Sequence, residues 1–419
     1  MSALIDPNDL MLPTHYGDKG IPHAAWTTLR AKSPVHWCEV DDRQSFWAIT
    51  KHADIMDISG RPNEFSNAAD GIVILNRDQV RGRQDASNPL TSFRTIIEMD
   101  PPEHRDFRKV ASGYFTPRSI HRLDEIVAES ARNLIDSLGE EGECDLIDKI
   151  AQRHPLRVLA TILGIDESDE DRVLELTQQL FAADDPDLQR EGEDRGDALK
   201  QVGLEFFQLF DRIIQDRRAN PRDDLATLLA TSKLANGEDM GPLETFGYYL
   251  IVFTAGHDTT RNALSAGFEA MMEYPESLQA LKGHPELAKS AVEEVIRWAS
   301  PVNYMKRTVM QDTEVRGQKM KEGDILVQFY ASANRDEEVF EDPFKFDITR
   351  KPNRHLGFGT GEHFCLGAHV ARMSARALLE EMANRIEVLE PAGPSSMIES
   401  SFVVGLKTLP VHYKIKPAT

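Results

Sequence analysis

The sequence predicts a mainly α protein with a minor β portion drawn from both ends of the chain. Three observations carry that reading. Between about 101 and 300 apolar residues recur at three- and four-residue spacing, the period of helices that bury one face. Short β-branched and aromatic runs flank that stretch, at about 34–60, 305–335 and 400–416. No internal repeat or low-complexity tract breaks the order. Because the strands come from both ends, the 419 residues are expected to form one domain, 1–419, although length alone suggests two or three at roughly 150 residues each.

Taken in order, the first strands are expected in Pro34–Cys38 and Phe46–Thr50. Residues 70–98, with Gly71, Gly82 and Pro89, read as a long connection, and such loops tend to be functional or mobile. Helices follow at Arg122–Leu138, Asp148–Leu163 and Ala198–Arg218. The acidic stretch 184–197 breaks the pattern and reads as a mobile loop. Gly241–Glu273 is the longest helix and stops at Tyr274-Pro275, because a proline disfavours helical geometry before it. Pro285–Trp298 reads as another helix. Lys306–Met310 and Asp324–Phe329 read as strands, and Asp336–Pro352 as a meander. A last helix spans about 367–386, and Val403–Lys414 closes the chain as a strand.

Composition excludes several classes. With 48 Lys+Arg against 69 Asp+Glu the net charge is −21, the wrong sign for a nucleic-acid binder. Three cysteines, Cys38, Cys144 and Cys365, make neither a disulfide framework nor a paired zinc motif. The first residues lack a basic segment followed by an apolar one, and the longest strongly apolar run, Tyr248–Ala255, is far short of the roughly 18 residues that span a bilayer. A cytoplasmic monomer with no membrane contact is expected.

The most informative stretch is Phe358-Gly-Thr-Gly-Glu-His-Phe-Cys-Leu-Gly367, directly before a helix. Gly359 and Gly361 permit a tight loop and close backbone approach. Cys365 lies where free N–H groups of a helix start stabilise a thiolate. A thiolate beneath a planar group is a ligand arrangement for haem iron, one that favours O–O cleavage. Other readings stay open on these residues alone: a buried small hydrophobe, a phosphate cradle whose spacing fits neither glycine-rich motif, or a nucleophile with His363 as base.

The stretch resembles the haem-binding signature of the cytochrome P450 superfamily, F-G-x-G-x-H-x-C-x-G. Six fixed positions match by chance on the order of once in ten million windows or fewer. Further features recur in the family's order along nearly the whole chain, most closely those of bacterial branches that oxidise terpenes and sterol side chains. The resemblance implies haem b with Cys365 as axial ligand, seated by Phe358 and Gly359, and His363 on a propionate. Glu362, an acid beside that propionate contact, departs from the expected charge balance.

Glu294-Val-Ile-Arg297 looks like the family's E-x-x-R element, and Arg350 is the arginine expected to complete a buried charge network with it. Three residues apart on a helix, Glu294 and Arg297 share a face; an ordinary surface pair with that spacing would contribute little. His104 and Arg108 lie one turn apart, and the family places a propionate there, as it does near Arg307. Two partly buried propionates need such cations. Ala255-Gly-His-Asp-Thr-Thr260 resembles [AG]-G-x-[DE]-T-[TS], which makes Asp258 and Thr259 the acid–alcohol pair of a groove for O2 and water. The plainer reading is a threonine bonding back to a carbonyl. His257 fills the variable position as a structural residue.

The expected reaction inserts one atom of O2 into a small-to-medium apolar substrate, terpenoid, steroid or hydrocarbon-like. The resemblance places pocket walls at Ile72, Val73, Leu75, Val252, Ala255, Val302, Tyr304, Met305, Phe402 and Val403, with no charged anchor. Electrons are expected from an acidic ferredoxin and its reductase, steered by Arg105, Lys109, Arg118, Arg122, Arg372 and Arg376. Two rivals are a peroxide-driven haem-thiolate hydroxylase and a haem-binding sensor. The first usually departs from the acid–alcohol pair, and the second has no need of it.

Overall fold

The longest helix of the structure, a computed structural model, runs Pro242–Glu273 with a proline in its first turn, where no helical N–H is needed. Described here are residues 4–84, 94–181, 185–188, 195–234 and 236–417. This central helix is apolar nearly all round, which is the pattern of a helix buried on every side. Its first half, with Phe246, Tyr249 and Phe253, packs into a cluster with Leu159, Phe206 and Phe210. Its second half, with Leu264, Phe268 and Met271, packs into a different cluster with Val295, Ile296 and Leu378. The polar segment around Asp258 lies between these two apolar cores.

Helices Arg153–Leu163, Arg195–Ala219, Leu225–Thr231 and Ala288–Ala299 pack against the central helix. The helix Ala368–Arg385 packs on Ala288–Ala299 and on Asp124–Ser137. Beside the helices stands a sheet of five strands in the order Val35–Cys38, Phe46–Ile49, Ile325–Phe329, Tyr304–Val309 and Phe65–Ser66. One pairing is parallel, Trp47 opposite Leu326, and it joins the two ends of the sequence. A second sheet sets Pro410–Ile415 between Glu141–Asp145 and Ile386–Pro391.

Mainly α with a minor β portion is therefore the observed class, with several local corrections. Glu141–Asp145 is a strand inside the span expected to be almost continuously helical. Its Glu-Gly-Glu-Cys-Asp sequence has no strand pattern, and it pairs because Pro410–Ile415 offers it a ladder. Within 70–98, Arg77–Gln84 is a helix and Ile96–Glu98 a single tight turn; 85–93 lie outside the described residues. Within 184–197, Asp185 is buried and bound by Lys407, so this part of the supposed mobile loop is anchored. The helix after it begins at Arg195, three residues before the expected start. Residues 184 and 189–194 lie outside the described ones. Among the described residues no helix is long and apolar enough to cross a membrane.

Candidate functional site

Cys365 is held by its own loop. Its amide donates to the Phe358 carbonyl at 2.9 Å, which folds the glycine-rich stretch back on itself. The turn depends on Gly361, at φ +72°, where a Cβ would stand 2.4 Å from the Ser59 carbonyl oxygen of the neighbouring helix His52–Ser59. Burial raises the Cys365 thiol, while the Gly367 amide that bonds its sulfur, and the nearby Arg108 and Arg372, act to lower it. Arg372 also lies over the Phe358 ring, 4.3 Å from its centre. The remaining cysteines are different: Cys38 is buried and raised to about 12, and Cys144 to about 11, both by burial first.

His104, Arg108, His363 and Arg307 assemble at the rim of this loop. The His104 and His363 rings lie 4.1 Å apart, centre to centre. His104 is buried and its Nδ1 has no partner among the described residues. Arg307 is buried, bonds the Lys306 carbonyl at 2.8 Å, and has no carboxylate within ion-pair distance among the described residues. Burial, then the positive groups Arg307 and Arg108 with the His104 ring, push His363 down to about 2. His104 is lowered by burial and by Arg108. A buried cation without an anion, beside an orphaned imidazole nitrogen, fits an anionic group entering from outside the chain. Arg108 donates to the Phe364 carbonyl at 2.6 Å and so ties its helix, Glu103–Ser112, to the Cys365 loop. Glu362, the unexpected acid, is taken up by Arg105 on the same helix, with Nε at 3.2 Å.

In the central helix Thr259 donates to the Ala255 carbonyl at 2.7 Å and Thr260 to the Gly256 carbonyl at 2.8 Å, the local bonding that competes with a functional reading. Asp258 is buried, and its Oδ2 has no partner among the described residues. His257 bonds the Gln152 carbonyl through Nε2 at 3.0 Å and stacks on Phe253.

Glu294, Arg297 and Arg350 meet as one buried network. Arg297 holds Glu294 through two bonds of 2.7 Å, and Arg350 Nε lies 3.3 Å from Glu294 Oε2. Arg297 and Arg350 also fix the carbonyls of Asn334, Pro343, Lys345 and Glu341, pinning the meander. Two members have no counterpart in the E-x-x-R reading: Asn353, which donates to Glu294 at 3.1 Å, and Glu293 next to it, which binds His355 and Arg372.

The expected pocket residues fall on three elements and their connections. Ile72, Val73 and Leu75 precede the helix Arg77–Gln84; Val252 and Ala255 lie on the central helix; Val302 bridges Val403. Met305 lies on the strand Tyr304–Val309. Tyr304 is fully buried in the sheet core against Phe402 and Phe329, and its hydroxyl accepts from the Ile74 amide at 3.2 Å. Of the six expected steering cations, five already have an acidic neighbour: Arg105 with Glu362, Lys109 with Asp106, Arg122 with Asp223, Arg372 with Glu293, Arg376 with Glu380.

A thiol under a backbone amide, a glycine turn, a buried arginine without a carboxylate and an unpartnered imidazole nitrogen form a set that fits a haem with its two carboxylates. Comparison with known proteins agrees. The family model for Cytochrome P450 matches residues 75–416. Cytochrome P450-terp of a Pseudomonas species is 36% identical over 96% of both chains. Linalool 8-monooxygenase of Pseudomonas putida is 35% identical over 96% of this chain and 98% of its own. The crystal structure of CYP108D1 from Novosphingobium aromaticivorans superposes with a TM-score of 0.90 at 33% identity, covering 99% of this chain and all of that one.

Proposed function

This chain belongs to the cytochrome P450 family, and from that premise we propose that it is a haem-thiolate monooxygenase with Cys365 as the iron ligand and Asp258 and Thr259 as its proton-handling pair. The haem, when bound, activates O2 with two external electrons, one oxygen atom going to substrate and the other to water. The chain's own work is positional. Gly367 N–H bonds the Cys365 sulfur and acts against the effect of burial, in favour of the thiolate that would bind iron. His104, Arg108, Arg307 and His363 would hold the two carboxylates, whose negative charge would offset the positive surroundings of His363. Thr259 Oγ1 places a hydroxyl in the polar segment between the two apolar cores. Asp258 offers its free Oδ2 as the point through which protons pass.

The observation that carries this reading is Cys365 in a folded glycine loop beside a buried arginine without a carboxylate, Arg307, and the unpartnered Nδ1 of His104. The substrate we propose is a neutral, apolar molecule of terpenoid or steroid type. The apolar side chains at 72–75, 252–255 and 402–403 support it, as does the activity named for the linalool enzyme. Electrons come, in this proposal, from an acidic ferredoxin. Because most of the cations proposed to meet it are already paired, its docking carries a shallow salt dependence. The test of the ligand is spectroscopic. Carbon monoxide on the reduced protein should give the red-shifted band of a thiolate-bound haem, and Cys365→Ala should abolish it; a band that survives the substitution overturns the assignment. A product assay with NADH, ferredoxin and reductase, beside one with peroxide alone, separates monooxygenation from its peroxide-driven and sensing rivals.

A further inference from the structure

We propose that Arg261 is a positioning residue of the proton supply, holding with Asn262 a water against Asp258 in a cavity between the central helix and residues 398–403. This rests on the reading of Asp258 as the proton-handling acid. Asp258 and Arg261 are three residues apart on one helix face, yet no ion pair within 4 Å joins them among the described residues. Instead Asp258 Oδ2, Arg261 Nε and Asn262 Nδ2 are all buried without partners among the described residues. The three side chains line one cavity, with Gln178, Leu188, Ile398 and Val403. One acceptor and two donors facing a space that holds about one water is the arrangement a bound water satisfies.

The guanidinium is aimed by its other bonds. Arg261 Nη2 donates to the Leu406 carbonyl at 3.1 Å and Nη1 to Asn262 Oδ1 at 3.0 Å. That leaves Nε for the cavity, and it commits the Asn262 oxygen, so the asparagine offers only its amide N–H. Gly405 makes the seat possible, since a Cβ there would stand 2.2 Å from Asn262 Cγ. The charged groups facing Arg261 are few. Asp258 and Asp145 act to raise it against burial, and Asp145 is committed to the Ile147 and Leu409 amides. His257 Nδ1 lies 3.7 Å from Asp258 Oδ1. Gln178 is tied to Gln152 at 3.1 Å. Of these two carboxylates, Asp258 is the one that lines the cavity, with a buried oxygen that has no partner among the described residues. A proton given up by Asp258 is replaced through the water that Arg261 and Asn262 orient.

The haem-loaded enzyme is tested as wild type, Arg261→Met, Arg261→Lys, Gly405→Ala and Asp258→Asn, reading NADH use, product and peroxide in H2O and D2O, with haem content and melting temperature beside them. Arg261→Met should lower product formation on the order of tenfold to a hundredfold, with a larger solvent isotope effect and the carbon monoxide band intact. Arg261→Lys should recover part of the loss, and Gly405→Ala should reproduce a smaller loss by displacing Asn262. A crystal structure of the holoenzyme should show a water bonded to Asp258, Arg261 and Asn262, missing in Arg261→Met. A dry cavity, an unchanged isotope effect, or a lysine variant no better than the methionine one overturns the proposal and leaves Arg261 a tie between helix and strand. If Asp258→Asn itself leaves turnover and isotope effect unchanged, the reading of Asp258 falls first.

Discussion

Glu293 and Arg372 form a two-pronged ion pair, 2.7 and 2.9 Å, between the helices Ala288–Ala299 and Ala368–Arg385. His355 joins from the loop that precedes Phe358, with Nε2 3.0 Å from Glu293. Through Arg372, which covers the Phe358 ring, one carboxylate fixes both sides of the stretch that carries Cys365.

Glu293→Gln should therefore destabilise the protein by about 1–3 kcal/mol and loosen the Cys365 loop. Burial alone would raise this carboxyl, but the bonds from His355 and Arg372 overcome it and hold it at about 2. A depressed carboxyl stabilises the fold above its unfolded pKa of about 4.3 and loses that contribution as the pH falls toward 2. Acid unfolding followed by circular dichroism should show the variant less sensitive to pH across that window. Equal acid curves would mean that Glu293 contributes nothing through its charge.

Gly361→Ala should lower stability by about 1–2 kcal/mol for the left-handed backbone alone, and further for the contact with the Ser59 carbonyl. Haem content of the purified protein and its melting temperature check this. Full haem loading with an unshifted melt would show that the loop can move off the helix His52–Ser59 without consequence.

Thr259→Ala should keep haem and substrate binding while diverting NADH into hydrogen peroxide, because the hydroxyl that holds a proton at this point is gone. Asp258→Asn should instead slow turnover with less diversion, since supply rather than retention of protons is cut. Product, peroxide and NADH measured together separate the two. Unchanged coupling in Thr259→Ala would leave only the bond to the Ala255 carbonyl, a helix-bending role.

Lys407→Met should cost up to about 3 kcal/mol, because it strips a buried carboxylate of its cation. Lys407 Nζ lies 3.1 Å from Asp185 and 2.7 Å from Asp187, and the Glu399 amide adds a bond to Asp185 at 3.1 Å. A second change, Asp185→Asn, should restore most of the loss in a denaturant titration. No recovery would place the effect in lost packing of the lysine stem.

What could be read from the chain was what is written locally. Phe358 to Gly367 is one loop, and Glu294–Arg297 one helical turn, so the residues that act together are neighbours in sequence as well as in space. Helical spacing was likewise enough to find the central helix. Glu293 gives no local signal because its partners, His355 and Arg372, are 62 and 79 residues away. Asp185 reads from the sequence as part of a mobile loop because its cation follows 222 residues later. Arg261 carried no signal at all; its meaning depends on the Leu406 carbonyl and on a glycine at 405. The strand Glu141–Asp145 was hidden for the same reason, since its ladder lies near the far end.

The parallel pairing of Trp47 with Leu326 has a consequence for how the protein is made. The hairpin Val35–Cys38 with Phe46–Ile49 emerges early, carrying Trp37 and Trp47 and one unclosed edge. At about 5–20 residues per second, the roughly 280 residues between Trp47 and Leu326 take about 15–60 s to synthesise. For that time a nascent chain on the ribosome displays an aromatic strand edge with nothing to pair it, the kind of surface on which strands of other chains add. Overproduction raises the concentration of such half-made chains. Fewer chains in synthesis at once, or a chaperone that occupies the hairpin until Ile325–Phe329 is made, is the condition under which the yield of folded protein should rise.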